Sequence, residues 1–203
     1  MSNIIGIVNY GIAGNIYSIK QAIIAAGGKV VVIDDVEQFS IVDKIVLPGV
    51  GSFKDAIKEL EADGFLESLK KNTKPILGIC LGMQILSTTG FEYGETEGLG
   101  LIKADVKLMK VNSPIPHMGF NKIDVSKKNE LLKNLEEEEF YFMHSYIIHN
   151  THDVIGTSTY EDLKFPSVIQ KGHVFGVQFH PEKSRQAGIK LFENFINLEK
   201  YNG

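Results

Sequence analysis

The chain has 203 residues and one cysteine, Cys80, so it can form no internal disulfide. A lone thiol suits a reducing compartment. There is no excess of positive charge either: 21 Lys and Arg stand against 25 Asp and Glu, for a net charge of -4. That leaves no electrostatic case for nucleic acid or an anionic membrane as partner. The N-terminus, MSNIIGIVNYG, lacks the basic flank and apolar core of a signal peptide. No run approaches the roughly 20 apolar residues that cross a bilayer. The expectation is a cytoplasmic protein. No internal repeat or long linker divides it, so one domain over residues 1–203 is expected.

What is present is a change of rhythm halfway along. Ile4–Val8, Lys29–Ile33, Lys44–Leu47 and Pro75–Ile79 are short apolar runs that suit buried strands. Between them lie helical spacings. Ile16, Ile19 and Ile23 share one face, Gly27-Gly28 ends that helix, and further helices are expected over 52–71 and 81–89. Strand alternating with helix implies a parallel sheet covered on both faces. From Leu101 to Phe179 the pattern is short strand-like runs at hairpin spacing: IKADVKLM, KIDVS, EFYFMHS, VIGTSTY, SVIQ and VFGVQF. A last helix follows Ser184, and EEEE (136–139) reads as a solvated turn. The fold class is therefore α/β: a mixed sheet with a parallel half flanked by helices and an antiparallel extension.

The chemistry centres on GICLG (78–82). Cys80 falls where a buried strand ends and a helix begins, flanked two positions away on each side by glycine. This is the cysteine counterpart of the G-x-S-x-G nucleophile elbow, where close backbone contacts leave no room for a Cβ. A helix N-terminus also offers N–H groups to an anion, with Leu81 as an oxyanion donor. A nucleophile needs a base and an orienter. Of six histidines, His180 is the best placed: it ends VFGVQF, and Glu182 follows two positions on, on the same side of an extended chain. His117 and His173 read as loop residues, and His144 as core or pocket lining. HNTHD (149–153) reads as a solvated loop rather than a metal cluster. LPGVG (47–51) lets backbone N–H groups face a cavity, or is a plain strand-to-helix turn.

LPGVGSF, GICLGMQ and GVQFHPEKS, in that order, resemble the class I (triad) glutamine amidotransferases over essentially the whole chain. PHMGFN (116–121) and YFMHSY (141–146) narrow the resemblance to members that feed a separate cyclase subunit. The resemblance implies roles. Cys80 attacks the glutamine side-chain amide, His180 moves protons and Glu182 holds His180. Gly49 and Val50, with Leu81, stabilise the oxyanion. Gly51, Gln84, Ser145 and Tyr146 bind the amino-acid end of glutamine. Asn15, Phe120, Tyr141 and Lys183 face a β/α-barrel cyclase in a heterodimer, which receives the ammonia. No cofactor or metal is implied. The resemblance also implies a poor glutaminase in isolation, with the Gly49-Val50 loop misoriented until the partner is occupied.

Two positions depart from the family pattern. Asn9 stands where an acid is usual in a loop that carries one extra residue, and Phe120 replaces a tryptophan. Both lie on the expected partner side, which keeps a paralogous glutaminase for amidination of a surface sugar as the alternative. A non-catalytic regulatory binding module is the alternative of another class. Retention of Cys80, His180 and Glu182 ranks it last.

Overall fold

The structure, a computed structural model, describes residues 3–11 and 15–199. The extra residue expected near Ile12 falls within 12–14, outside the described residues. The strands are β1 (Ile4–Val8), β2 (Lys29–Ile33), β3 (Lys44–Leu47), β4 (Ile76–Ile79), β5 (Thr89–Gly90), β6 (Thr96–Glu97) and β7 (Asp105–Leu108). They continue as β8 (His117–Lys122), β9 (Asp124–Val125), β10 (Glu139–His144), β11 (Tyr146–His149), β12 (Val154–Tyr160), β13 (Leu163–Lys171) and β14 (Val174–Val177). The helices are α1 (Ile16–Ala25), α2 (Phe53–Ala62), α3 (Phe65–Lys70), α4 (Leu81–Ile85) and α5 (Arg185–Asn197).

The central sheet has eight strands in the order β2-β1-β3-β4-β14-β13-β12-β9. β2 through β14 run parallel, and β13, β12 and β9 extend the sheet antiparallel. The two-residue period of a strand splits the core between the two faces. Ile5, Ile7, Val46, Leu77 and Ile79 join Ile19 and Ile23 of α1 and Leu191, Phe192 and Phe195 of α5. Ile45, Leu47 and Ile76 join Phe53 and Leu60 of α2, Phe65 and Leu69 of α3, and Met83 of α4. β3 and β4 are buried at every position, as expected of strands covered on both sides.

Two smaller sheets, β10-β8 and β11-β7-β5-β6, pack beside the central sheet, with β8 against β12 and β11 against β13. Their strands β8 and β11 correct the sequence reading. His117 is not in a loop but starts β8, and His149 is not in a turn but ends β11. The alternation in β8 is inverted. His117 is buried while Met118 is exposed, so the apolar pattern conceals the strand. The helix expected over 81–89 stops at Ile85. Ser87 turns its N–H and its Oγ–H back onto the Gln84 carbonyl, and Thr89 enters β5. The helix expected over 52–71 is broken between α2 and α3, where Gly64 takes φ 75.

At the opposite end of the sheet, Lys44 is buried with its Nζ donating to the carbonyls of Phe195 (2.9 Å), Ile196 (2.7 Å) and Leu198 (2.6 Å). The Phe195 carbonyl also accepts from the Leu198 N–H at 3.3 Å, so Lys44 adds to the last bond of the helix itself. Among the described residues no helix is long and apolar enough to cross a membrane.

Candidate active site

The symmetric glycines around Cys80 have a direct steric cause. A Cβ on Gly82 would lie 1.9 Å from the Leu47 carbonyl oxygen at the end of β3. A Cβ on Gly78 would lie 2.6 Å from the Gly82 oxygen and 2.7 Å from the Met83 nitrogen. Both contacts are with backbone, which cannot move aside. The cysteine between them takes φ 53 and ψ -108, a conformation that costs an L residue about 1–3 kcal/mol. Its N–H donates to the Val177 carbonyl at 2.8 Å, which ties the elbow to β14. Since α4 has only five residues, local N–H groups count for more here than a helix dipole.

LPGVG lies against the elbow. Gly49 sits where an added Cβ would come within 2.8 Å of the Gly82 nitrogen and 2.9 Å of the Leu81 Cβ. The buried Tyr10 hydroxyl donates to the Pro48 carbonyl at 2.6 Å and fixes the first peptide of the loop. Burial, and then the negative charge of a Cys80 thiolate, raise the pKa of that hydroxyl. Gly51 has φ 98 and is exposed.

His180 is brought to the same place by β14. Its N–H donates to the Tyr141 carbonyl at 2.8 Å, and its ring is 2% exposed. Nδ1 meets Glu182 Oε1 at 2.8 Å. The contact is made through a 3-10 turn over Pro181–Lys183, not through the extended chain that the spacing suggests. The Ser184 hydroxyl closes the turn by donating to the His180 carbonyl at 2.6 Å. Burial pulls the His180 pKa down, but its interactions with Cys80 and Glu182 outweigh it and hold it up at about 10. Among the described residues, His180 Nε2 and Glu182 Oε2 are the buried side-chain atoms without a hydrogen-bond partner. An unpartnered buried imidazole nitrogen is chemically able to take up and release a proton.

Two of the residues expected to hold substrate, Gln84 and Tyr146, are joined to each other and, through Gln178, to the sulfur. Gln84 is 5% exposed, and its Nε2 donates to the Tyr146 carbonyl at 3.0 Å and to Gln178 Oε1 at 3.1 Å. Both of its N–H groups are thereby used, and its carbonyl oxygen is left as an acceptor for a cationic group. Ser145 links β10 to β11, and its carbonyl accepts from the Met109 N–H at 2.9 Å. Gln178 itself escapes a reading of the sequence. It sits fully buried in an apolar run, with Nε2 3.7 Å from Cys80 Sγ. The signal was an amide in a strand that otherwise reads apolar.

The four residues expected at a partner face fall on one side of the site. Phe120 and Tyr141 are cross-strand neighbours with rings 5.5 Å apart. Lys183 Nζ lies 5.7 Å from the Tyr141 ring centroid, and Arg185 lies 4.4 Å from that of Phe120. Asn15 does more than face outward: its Nδ2 donates to Glu182 Oε1 from 167 positions away. Asn9 donates to Asp34 Oδ1 at 2.6 Å, a place where an aspartate would repel. That departure from the family pattern therefore has a local cause. Behind these strands His117 Nδ1 meets His144 Nε2 at 3.2 Å. His117 is stacked between Phe142 (4.9 Å) and Tyr160 (4.3 Å). Among the described residues no cluster of His, Cys, Asp and Glu could hold a metal ion.

Comparison with known proteins gives one consistent family. Residues 7–198 match the family described as glutamine amidotransferase class-I. The chain is similar to "Imidazole glycerol phosphate synthase subunit HisH 1" of Campylobacter jejuni (strain RM1221). The two are 40% identical over 201 residues, covering 96% of this chain and 100% of that protein. It is similar also to "Imidazole glycerol phosphate synthase subunit HisH" of Geobacillus kaustophilus (strain HTA426), at 40% over 209 residues, 98% of this chain and 99% of that one. In three dimensions it superposes on a chain of the PurLQS structure from Thermotoga maritima with a TM-score of 0.75. That alignment has 18% identity and covers 97% of this chain and 99% of the other, so it speaks for the fold.

Proposed function

The chain belongs to the class I glutamine amidotransferases, and from that premise we propose that it is the glutaminase subunit of imidazole glycerol phosphate synthase. The observation that carries this reading is 40% identity along nearly the whole length of HisH proteins. Residues 1–203 form one amidotransferase domain, and it works in the cytoplasm.

The site geometry supports a triad reaction. The Cys80 sulfur attacks the amide carbon of glutamine, and the oxyanion is met by N–H groups of the Gly49-Val50 loop and Leu81. His180 takes the thiol proton as the sulfur attacks and gives it from Nε2 to the departing nitrogen, which leaves as ammonia. Water then attacks the thioester while His180 takes its proton, and glutamate leaves. The Gln84 carbonyl oxygen accepts from the α-ammonium group, with Gly51, Ser145 and Tyr146 around it. The ammonia goes to a β/α-barrel cyclase docked over Asn15, Phe120, Tyr141 and Lys183. The cyclase uses it to form imidazole glycerol phosphate and an aminoimidazole carboxamide ribotide in histidine biosynthesis.

The test is glutamate release by the purified chain, alone and with the histidine-pathway cyclase of the same source, with and without the cyclase's nucleotide substrate. The expected result is weak release alone and strong stimulation by the occupied cyclase, with imidazole glycerol phosphate formed in step with glutamate. Full activity alone would remove the misoriented-loop element of the reading. No stimulation, from a chain whose Cys80 still reacts with a glutamine-like electrophile, would reassign the partner to a surface-sugar pathway.

A further inference from the structure

The fully buried Gln178 has a fixed orientation, and the reason lies two side chains away. The Tyr146 carbonyl can only accept a hydrogen bond. It takes one from Gln84 at 3.0 Å, so the nitrogen of Gln84 faces Tyr146. The second N–H on that nitrogen reaches the Gln178 side chain at 3.1 Å, so the atom of Gln178 found there is its oxygen. The nitrogen of Gln178 is then turned the other way, onto Cys80 Sγ at 3.7 Å. One backbone carbonyl sets the direction of a two-amide relay that ends on the sulfur. The Gln178 backbone is anchored as well, its N–H donating to the Ser167 carbonyl at 2.9 Å.

We propose that Gln178 is a further catalytic residue of this site, donating a hydrogen bond to the Cys80 sulfur. The inference rests on the reading of Cys80 as nucleophile. The bond stabilises the thiolate before attack and fixes the direction from which the sulfur approaches. It acts again in deacylation. When water has added to the thioester, the C–S bond breaks, the electron pair returns to sulfur, and the proton taken from water stays on His180. The Gln178 N–H meets that returning charge. Gln84 carries two duties, since it holds Gln178 in orientation while it offers its own oxygen to the substrate.

The test uses iodoacetamide on the full chain, where the single cysteine makes every alkylation event a report on Cys80. The rate of labelling is followed against pH for the parent, Gln178→Met and Gln178→Glu. His180 beyond β14 and Tyr10 beyond β1, the titratable groups facing Cys80, are unchanged in both variants, and Gln178→Glu adds only its own carboxylate. Loss of one charge-assisted hydrogen bond shifts the midpoint upward by about one pH unit, or about tenfold slower labelling on the rising limb. Gln178→Glu keeps the shape and places a carboxylate at the sulfur, so its shift is larger, and it gives the same readout should Gln178→Met not fold. Unchanged midpoints in folded variants would overturn the proposal, whatever happens to glutamate release. Iodoacetamide needs no glutamine site. A shifted midpoint in a chain that releases no glutamate with the histidine-pathway cyclase would therefore count against the partner proposed above and leave this inference standing.

Discussion

His180 and His144 are both nearly excluded from water, one at 2% exposure and the other at 5%, yet they are held in opposite charge states. Burial lowers the pKa of each. At His180 the Cys80 sulfur and the Glu182 carboxylate reverse that effect and hold the pKa at about 10. At His144 burial is reinforced by repulsion from His117, and a single bond to the Tyr146 carbonyl does not compensate, so the pKa falls to about 3. Burial also pushes His117 down to about 4. One region is a charged hydrogen-bonded pair, and the other is a neutral hydrogen-bonded chain that joins strands β8 and β10. The lesson is that burial sets the cost of a charge while the neighbours decide whether it is kept.

The largest expected effect comes from removing the carboxylate. Glu182→Gln keeps the shape but not the charge, and glutamate release should fall by about 10²–10⁴-fold, measured as kcat with the cyclase present. The same variant tests the charge state. A folded pKa raised from 6.5 to about 10 stabilises the fold fully below pH 6.5 and loses that contribution as pH rises through 10. The thermal midpoint of the parent should decline over that window, and that of Glu182→Gln should be flatter. Asn15→Gly is the next test. It keeps the φ of 69 that the helix start requires but removes the donor to Glu182. One charge-assisted bond corresponds to about a tenfold loss in kcat, and KM should hold if the role is positioning. The smallest effect concerns the neutral pair. Folded pKa values below 6.5 mean that unfolding takes up protons, so stability is lost as pH falls from 6.5 toward 4 and 3. His144→Gln should flatten the acid limb of the melting curve. An unchanged limb would show that the pair does not set acid sensitivity.

Much of this was readable before any coordinates. GICLG carries its own backbone constraint, and the short apolar runs of β1 to β4 carry the parallel half. What escaped depends on distance along the chain or on inverted burial. Nothing near Asn15 announces that its amide meets Glu182 in a turn after β14. His117 looked like a loop residue because its strand buries a polar side chain and exposes Met118 and Phe120. The 3-10 turn at Pro181–Lys183 brings His180 and Glu182 together by a geometry that extended spacing does not foresee. Gln178 was visible as a letter but its duty was not, since that depends on a carbonyl contributed by β11.

Lys44 gives the site a frame. It opens β3, the strand that carries the Pro48-Gly49-Val50 loop at its other end, and it clasps the last turn of α5. α5 in turn begins directly after the turn that holds Glu182. The two halves of the proposed reaction chamber, the Gly49-Val50 loop and the His180-Glu182 pair, thus hang from a common pin at the far side of the molecule, like the jaws of pliers. An engineer who trimmed the end of α5, or fused a cargo tightly to it, would be adjusting the gap between those jaws without touching a residue inside them.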